Sequence, residues 1–132
     1  MNVYDVRASK PLGRQKEITV TLDPYEPAIF AASPIAIAEL EISAPARVQR
    51  GESAQIGLGF AHASPAATHV FRLDVIDPAG KTVDYYSGNI IASHGRAGKL
   101  LPLAFNDARG KWTLRVHDLL SGQARTIAIE VD

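Results

Sequence analysis

Apolar residues recur at every second position over most of this chain, and that pattern restricts the fold more than any other feature. In "KWTLRVH", Trp112, Leu114 and Val116 alternate with Thr113, Arg115 and His117. In "TIAIEVD", Ile127, Ile129 and Val131 alternate with Ala128 and Glu130. The same phase runs through Ile56, Leu58 and Phe60, through Phe71, Leu73 and Val75, through Ala38, Leu40 and Ile42, and through Leu101, Leu103 and Phe105. A period of two puts alternate side chains on opposite faces of a strand, one toward a core and one toward water. No stretch sustains the helical period. The Ala-rich residues 28–38 are interrupted by Pro34 and preceded by Pro24 and Pro27, which disfavours a helix there.

Turn residues separate these runs. "DPAG" (77–80) has Pro after Asp and Gly at the fourth position, as a type I turn favours. "NDARG" (106–110) and "LLSGQ" (119–123) punctuate in the same way, and "APARVQRGES" (44–53) reads as a polar connection. About seven short strands at regular spacing predict an all-β, antiparallel β-sandwich of immunoglobulin or fibronectin-III-like type over residues 35–132. There is no Cys, so the disulfide of antibody domains is absent. Residues 1–34 form a separate N-terminal β segment. "VYDVR" and "EITVTL" read as strands joined by "ASKPLGRQK", and "PAIFAA" as a third. The apolar side of the second strand, Ile18, Val20 and Leu22, needs a partner, because two or three strands alone are marginal. That partner is expected to be the sandwich, a neighbouring β-domain of a longer chain, or a second copy in a homodimer.

Composition excludes several functions. A chain of 132 residues that is 46% hydrophobic and 21% charged can bury a core. Fourteen basic residues balance fourteen acidic ones, so there is no overall footprint for nucleic acid. The densest basic stretch, Arg7 to Lys16, is broken by Pro11 and Gly13. Without Cys there is no thiolate nucleophile and no Cys-based metal or cluster site. No run approaches the ~18 apolar residues of a membrane span. "MNVYDVRASK" lacks the apolar region of a signal peptide, so an exported parent would carry its signal on a longer precursor.

Four stretches carry a family likeness: "VYDVRASKPLG", "ITVTLDPYEPAIFA", "DPAGKTVDYYSGNIIA" and "LPLAFNDARGKWTLRVHDLLSG". Together they resemble the C-terminal, all-β, immunoglobulin-like accessory region of large bacterial glycoside-hydrolase (β-galactosidase-like) multidomain proteins. The resemblance implies a non-catalytic module of a secreted or cell-surface bacterial protein, acting in spacing, domain packing or assembly. The catalytic carboxylates of such proteins belong to a barrel domain, so no catalytic residue transfers to this chain.

The polar residues fit that expectation. Trp112 alternates inward and reads as a core anchor. His117 falls on the outward side. Asn106, Asp107 and Asp118 sit where turn side chains bond local backbone N–H groups. Ser93 and His94 lack the G-x-S-x-G elbow and the α/β frame of a hydrolase triad. His62 and His69 bracket "ASPAAT" in a loop, without the spacing of a metal pair. Asp74, Asp77, Asp107 and Asp118 lack a calcium-loop pattern. No cofactor is expected. The best candidate ligand site is "DYYSGN". In a strand, consecutive Tyr85 and Tyr86 point to opposite faces, one into the core. The other, with Asp84 and Asn89, would stack on and hydrogen-bond a carbohydrate.

Overall fold

The computed structural model describes residues 1–62 and 68–132. Its strands are β1 (Asn2–Asp5), β2 (Lys10–Arg14), β3 (Phe30–Ser33), β4 (Leu40–Ser43), β5 (Arg47–Val48), β6 (Ser53–Phe60), β7 (His69–Ile76), β8 (Gly88–Ala92), β9 (Arg96–Pro102), β10 (Gly110–Asp118) and β11 (Ala124–Val131). Among the described residues there is no helix, and so none long and apolar enough to cross a membrane, a statement that does not bear on β-barrels.

Two sheets face each other. One has the order β5-β11-β10-β7-β8 and the other β4-β6-β9. All neighbours are antiparallel except β5 and β11. In immunoglobulin nomenclature β4, β6 and β9 take the places of strands A, B and E. Strands β8, β7, β10 and β11 take those of C′, C, F and G, and β5 is a short A′ strand beside G. The chain is an immunoglobulin-like β-sandwich.

The core follows the phase of the alternation. Trp112, Leu114, Val116, Ile129, Phe71, Leu73 and Val75 of the five-stranded sheet meet Leu40, Ile56, Leu58 and Phe60 of the three-stranded one. Ile127 is half-buried at the margin. Val48, inside the expected polar connection, is also core, and its two-residue strand seals one side of the sheet.

Phe105 departs from the pattern. It is 82% exposed, although the run through Leu101 and Leu103 predicts it inward. Strand β9 ends at Pro102, and Leu103 is the last residue of the run to enter the core. The Phe105 ring then covers Gly51, where a Cβ would collide with it.

The three-stranded sheet protects its two edges with side chains. Lys99 occupies an inward position on edge strand β9, and its Nζ donates to the Tyr86 carbonyl at 2.7 Å. Burial, aided by the charge of Arg72, pulls its pKa below the usual lysine value. An inward-pointing charge on an edge opposes pairing with another chain. On edge strand β4 the Gln123 amide accepts from Leu40 N–H at 3.0 Å and donates to the Ala38 carbonyl at 2.9 Å. Arg125 Nε donates to the Leu40 carbonyl at 3.1 Å, and its guanidinium pairs with Glu39.

The N-terminal segment forms a third sheet of order β2-β1-β3. "VYDVR" and "PAIFAA" supply strands as expected, but the third comes from "KPLGR", inside the expected connector. The connection closes early: Ala8 N–H donates to Asp5 Oδ1 at 3.0 Å, and Ser9 takes a left-handed backbone at φ 47°. Strand β1 has two edges, one taken by this local hairpin and the other by β3. "EITVTL" is therefore left without a ladder, a correction to its expected strand pairing.

This sheet docks on the sandwich through other residues. Val3 and Tyr4 are buried, and the Tyr4 hydroxyl accepts from Ile37 N–H at 3.0 Å. Ser9 Oγ donates to the Leu119 carbonyl at 3.0 Å. Gly122 lies so close to Ser9 that any Cβ would run into the Ser9 carbonyl oxygen, and its φ of 72° favours glycine as well.

Two expectations follow. Trp112→Ala should cost about 3–5 kcal/mol in chemical denaturation, the range for a buried aromatic; near-neutral stability would contradict the core assignment. Gly122→Ala should loosen the docked sheet. Amide exchange at Val3 and Tyr4 should rise while the protection of Leu114 and Val116 is kept, and unchanged protection at Tyr4 would exclude the contact.

Candidate functional site

The expected candidates divide at the end of the sandwich opposite the docked sheet, where the β7–β8 and β9–β10 connections meet. Residues 84–86 are turn, not strand, so strand alternation does not separate the two tyrosines. They are separated all the same: Tyr86 is buried and Tyr85 is 76% exposed. Their rings meet edge-on with centroids 4.5 Å apart.

Tyr86 is committed to structure. Its hydroxyl donates to Asp107 Oδ2 at 2.6 Å. Ala104 N–H donates to the same carboxylate oxygen at 2.7 Å and to the tyrosine oxygen at 3.1 Å. The ring lies 6.1 Å from that of Trp112, whose indole N–H donates to the Ala108 carbonyl at 2.8 Å. This knot ties two connections that are distant in sequence and leaves Tyr86 no freedom to receive a ligand. Burial first, and then the hydrogen bond to Asp107, push its pKa from 10.0 up to about 12.

The other candidates do not converge on Tyr85. Asp84 is exposed in the same turn, and its carbonyl accepts from Ser87 N–H at 3.2 Å. Asn89 is on β8, on the outer face of the sheet and paired in register with Arg72. Tyr85 is thus an exposed ring whose neighbour in sequence is the exposed Asp84. Phe105, a second exposed ring at this end of the fold, is not marked by the sequence pattern because its alternation points inward.

Asp77, Asp74, Ser93 and His94 have local structural roles. Asp77 Oδ1 accepts from Ala79 and Lys81 N–H, both at 2.9 Å, and fixes the "DPAG" turn. Asp74 pairs with Arg72 at 2.9 Å. Ser93 and His94 lie in a tight turn closed by Ser93 and Arg96, with positive φ at His94 and Gly95, as in a type I′ hairpin.

Two expectations about histidines need correction. His69 is a buried residue at the start of β7, not part of a loop. The residues it was expected to bracket with His62 include 63–67, outside the described set. Its ring packs edge-on against Phe60 at 4.6 Å. His117, on the outward side of β10, is half-buried rather than open to solvent, and its Nδ1 finds no hydrogen-bond partner among the described residues.

Asp118 does bond its own turn, through Ser121 N–H to Oδ2 at 2.8 Å, but it is also fully buried. Its Oδ1 stands 3.7 Å from His69 Nδ1. That distance allows an ion pair if the histidine is protonated but is too long for a hydrogen bond, and among the described residues both atoms are otherwise unpartnered. Strand register brings this pair together across many residues, and no local motif announces it.

The surface also carries several depressions. One of 640 Å³ beside β4 is lined by Glu39, Glu41, Arg96 and Arg125, and two of those charges pair with each other. One of 290 Å³, lined by Val6, His69, Leu119 and Leu120, is mainly apolar. Among the described residues no three His, Cys, Asp or Glu side chains gather to hold a metal ion.

No family model and no curated protein matches the chain. Among solved structures it is similar to the CARDB domain of the PF1109 protein from Pyrococcus furiosus, which was solved in complex with di-metal ions. The identity is 10% and the TM-score 0.45, over 71% of this chain and 86% of that one.

The Tyr86 knot gives a pH expectation with a definite sign. A folded-state pKa raised above 10.0 means the fold holds the proton more tightly than the unfolded chain does. The stabilisation is complete below pH 10 and is lost as pH rises toward about 12. Tyr86→Phe should lower stability by about 1–3 kcal/mol at neutral pH and should flatten this alkaline loss. Parallel alkaline profiles for the two proteins would refute the knot.

Proposed function

We propose that this chain is a non-catalytic structural module that spaces or packs neighbouring domains of a larger bacterial carbohydrate-active protein. The observation that carries the reading is the fate of its polar residues. Asp74, Asp77, Asp107, Tyr86 and the indole N–H of Trp112 are each bound within the fold. None is paired as nucleophile and base in an open cleft. Asp118 and His69 are close together, but both are buried. Support for the wider setting comes from the family likeness of the four sequence stretches.

A second reading, a carbohydrate-binding module, is favoured by one observation, the exposure of the Tyr85 ring. An exposed aromatic face can stack on the apolar face of a sugar. It would do so without Tyr86 and with Asp84 as the nearest polar group in sequence.

The two readings separate in one experiment. The purified chain is tested on a glycan array and by affinity electrophoresis in soluble polysaccharides, alongside Tyr85→Ala. A structural module gives no retardation in either protein. Retardation of the wild type that disappears in Tyr85→Ala would replace the first reading with the second. Glycosidase turnover abolished by one Asp or Glu replacement would overturn both.

A further inference from the structure

We propose that residues 17–22, "EITVTL", are the pairing strand of a two-fold dimer of this chain. The segment has the composition and alternation of a strand: Ile18, Val20 and Leu22 on one side, Thr19 and Thr21 on the other. In the single chain it enters no ladder, and both edges of β1 are taken by β2 and β3. Its apolar side chains are left 37%, 40% and 72% exposed. A strand with open backbone groups and exposed β-branched residues is a template for another strand.

The occupant is a second copy because the pattern is its own complement. A two-fold interface places residue i against j and j against i. With Val20 on the axis, antiparallel pairing sets Val20 against Val20, Thr19 against Thr21 and Ile18 against Leu22. One face of the ladder is then wholly apolar and the other wholly threonine, and both are favourable cross-strand pairs. A strand recruited by an unrelated sheet would not need this symmetry. Like charges meet where Glu17 comes opposite Asp23, which limits the ladder to the central residues. Lys16 of each copy lies just beyond, alongside Asp23 of the other. On the three-stranded sheet, Lys99 guards the outer edge of β9, and Gln123 and Arg125 guard that of β4. The proposal is independent of Tyr85 and of any ligand.

The chain has no Cys, so a single introduced thiol reports on one position. Wild type and Val20→Pro are compared by sedimentation over a concentration series; the proline removes the N–H at the centre of the ladder. Val20→Cys and Ala79→Cys, the latter in an exposed turn, are compared for disulfide formation under a mild oxidant. The wild-type mass should double with concentration while Val20→Pro keeps the mass of one chain. Val20→Cys should cross-link faster than Ala79→Cys, because facing residues of an antiparallel pair lie within disulfide reach. A single-chain mass at every concentration, a dimer that survives Val20→Pro, or equal cross-linking rates at the two positions would each overturn the proposal.

Discussion

The rest of the molecule depends on the apolar layer between the two facing sheets. Trp112, Phe71, Leu114 and Leu73 from the five-stranded sheet fill the space against Ile56, Leu58, Phe60 and Leu40 from the three-stranded one. Burying such side chains is worth roughly 1.5–3 kcal/mol each before ordering costs. Strand register is fixed by this layer, because a slip of one residue would turn every inward side chain out. With the register set, polar groups far apart in sequence are brought together: Tyr86 to Asp107, His69 to Asp118, Gln123 to the edge of β4.

Those polar contacts divide into two kinds. Asp77 and Ser121 bond backbone groups within their own turns, and a local sequence motif is enough to form them. The Tyr86–Asp107–Ala104 knot and the Gln123 and Arg125 contacts to β4 cross between connections or sheets. Groups of the second kind close the ends and edges of the sandwich. Edge closure matters most here, because an open two-layer sandwich would offer its outer strands to other chains. Beside the guarded edges of β4 and β9, the unladdered segment 17–22 offers an open strand template.

The polar content of this end of the fold is mostly structural. Trp112 anchors the core and a turn at once, through its ring and its indole N–H. Tyr86 is inside, and Asn89 lies on the outer face of β8. Tyr85 remains as a ring exposed to solvent, without the convergent polar groups that would identify a ligand.

The sequence by itself determined the class of fold and the inward face of each sandwich strand. Period-two alternation is local, and each strand reports its own phase without reference to its partners. It also determined the turns at 77–80 and 119–123, whose side chains act on backbone a few residues away. Only the tertiary structure decided which strands became neighbours. "EITVTL" is as good a strand in pattern as any other, but it lost the edges of β1 to "KPLGR", which is closer along the chain, and to "FAAS". The exposure of Phe105 and the burial of Asp118, His69 and Tyr86 were decided in the same way. Whether a side chain meets water depends on what lies across from it, and that is set by residues dozens of positions away.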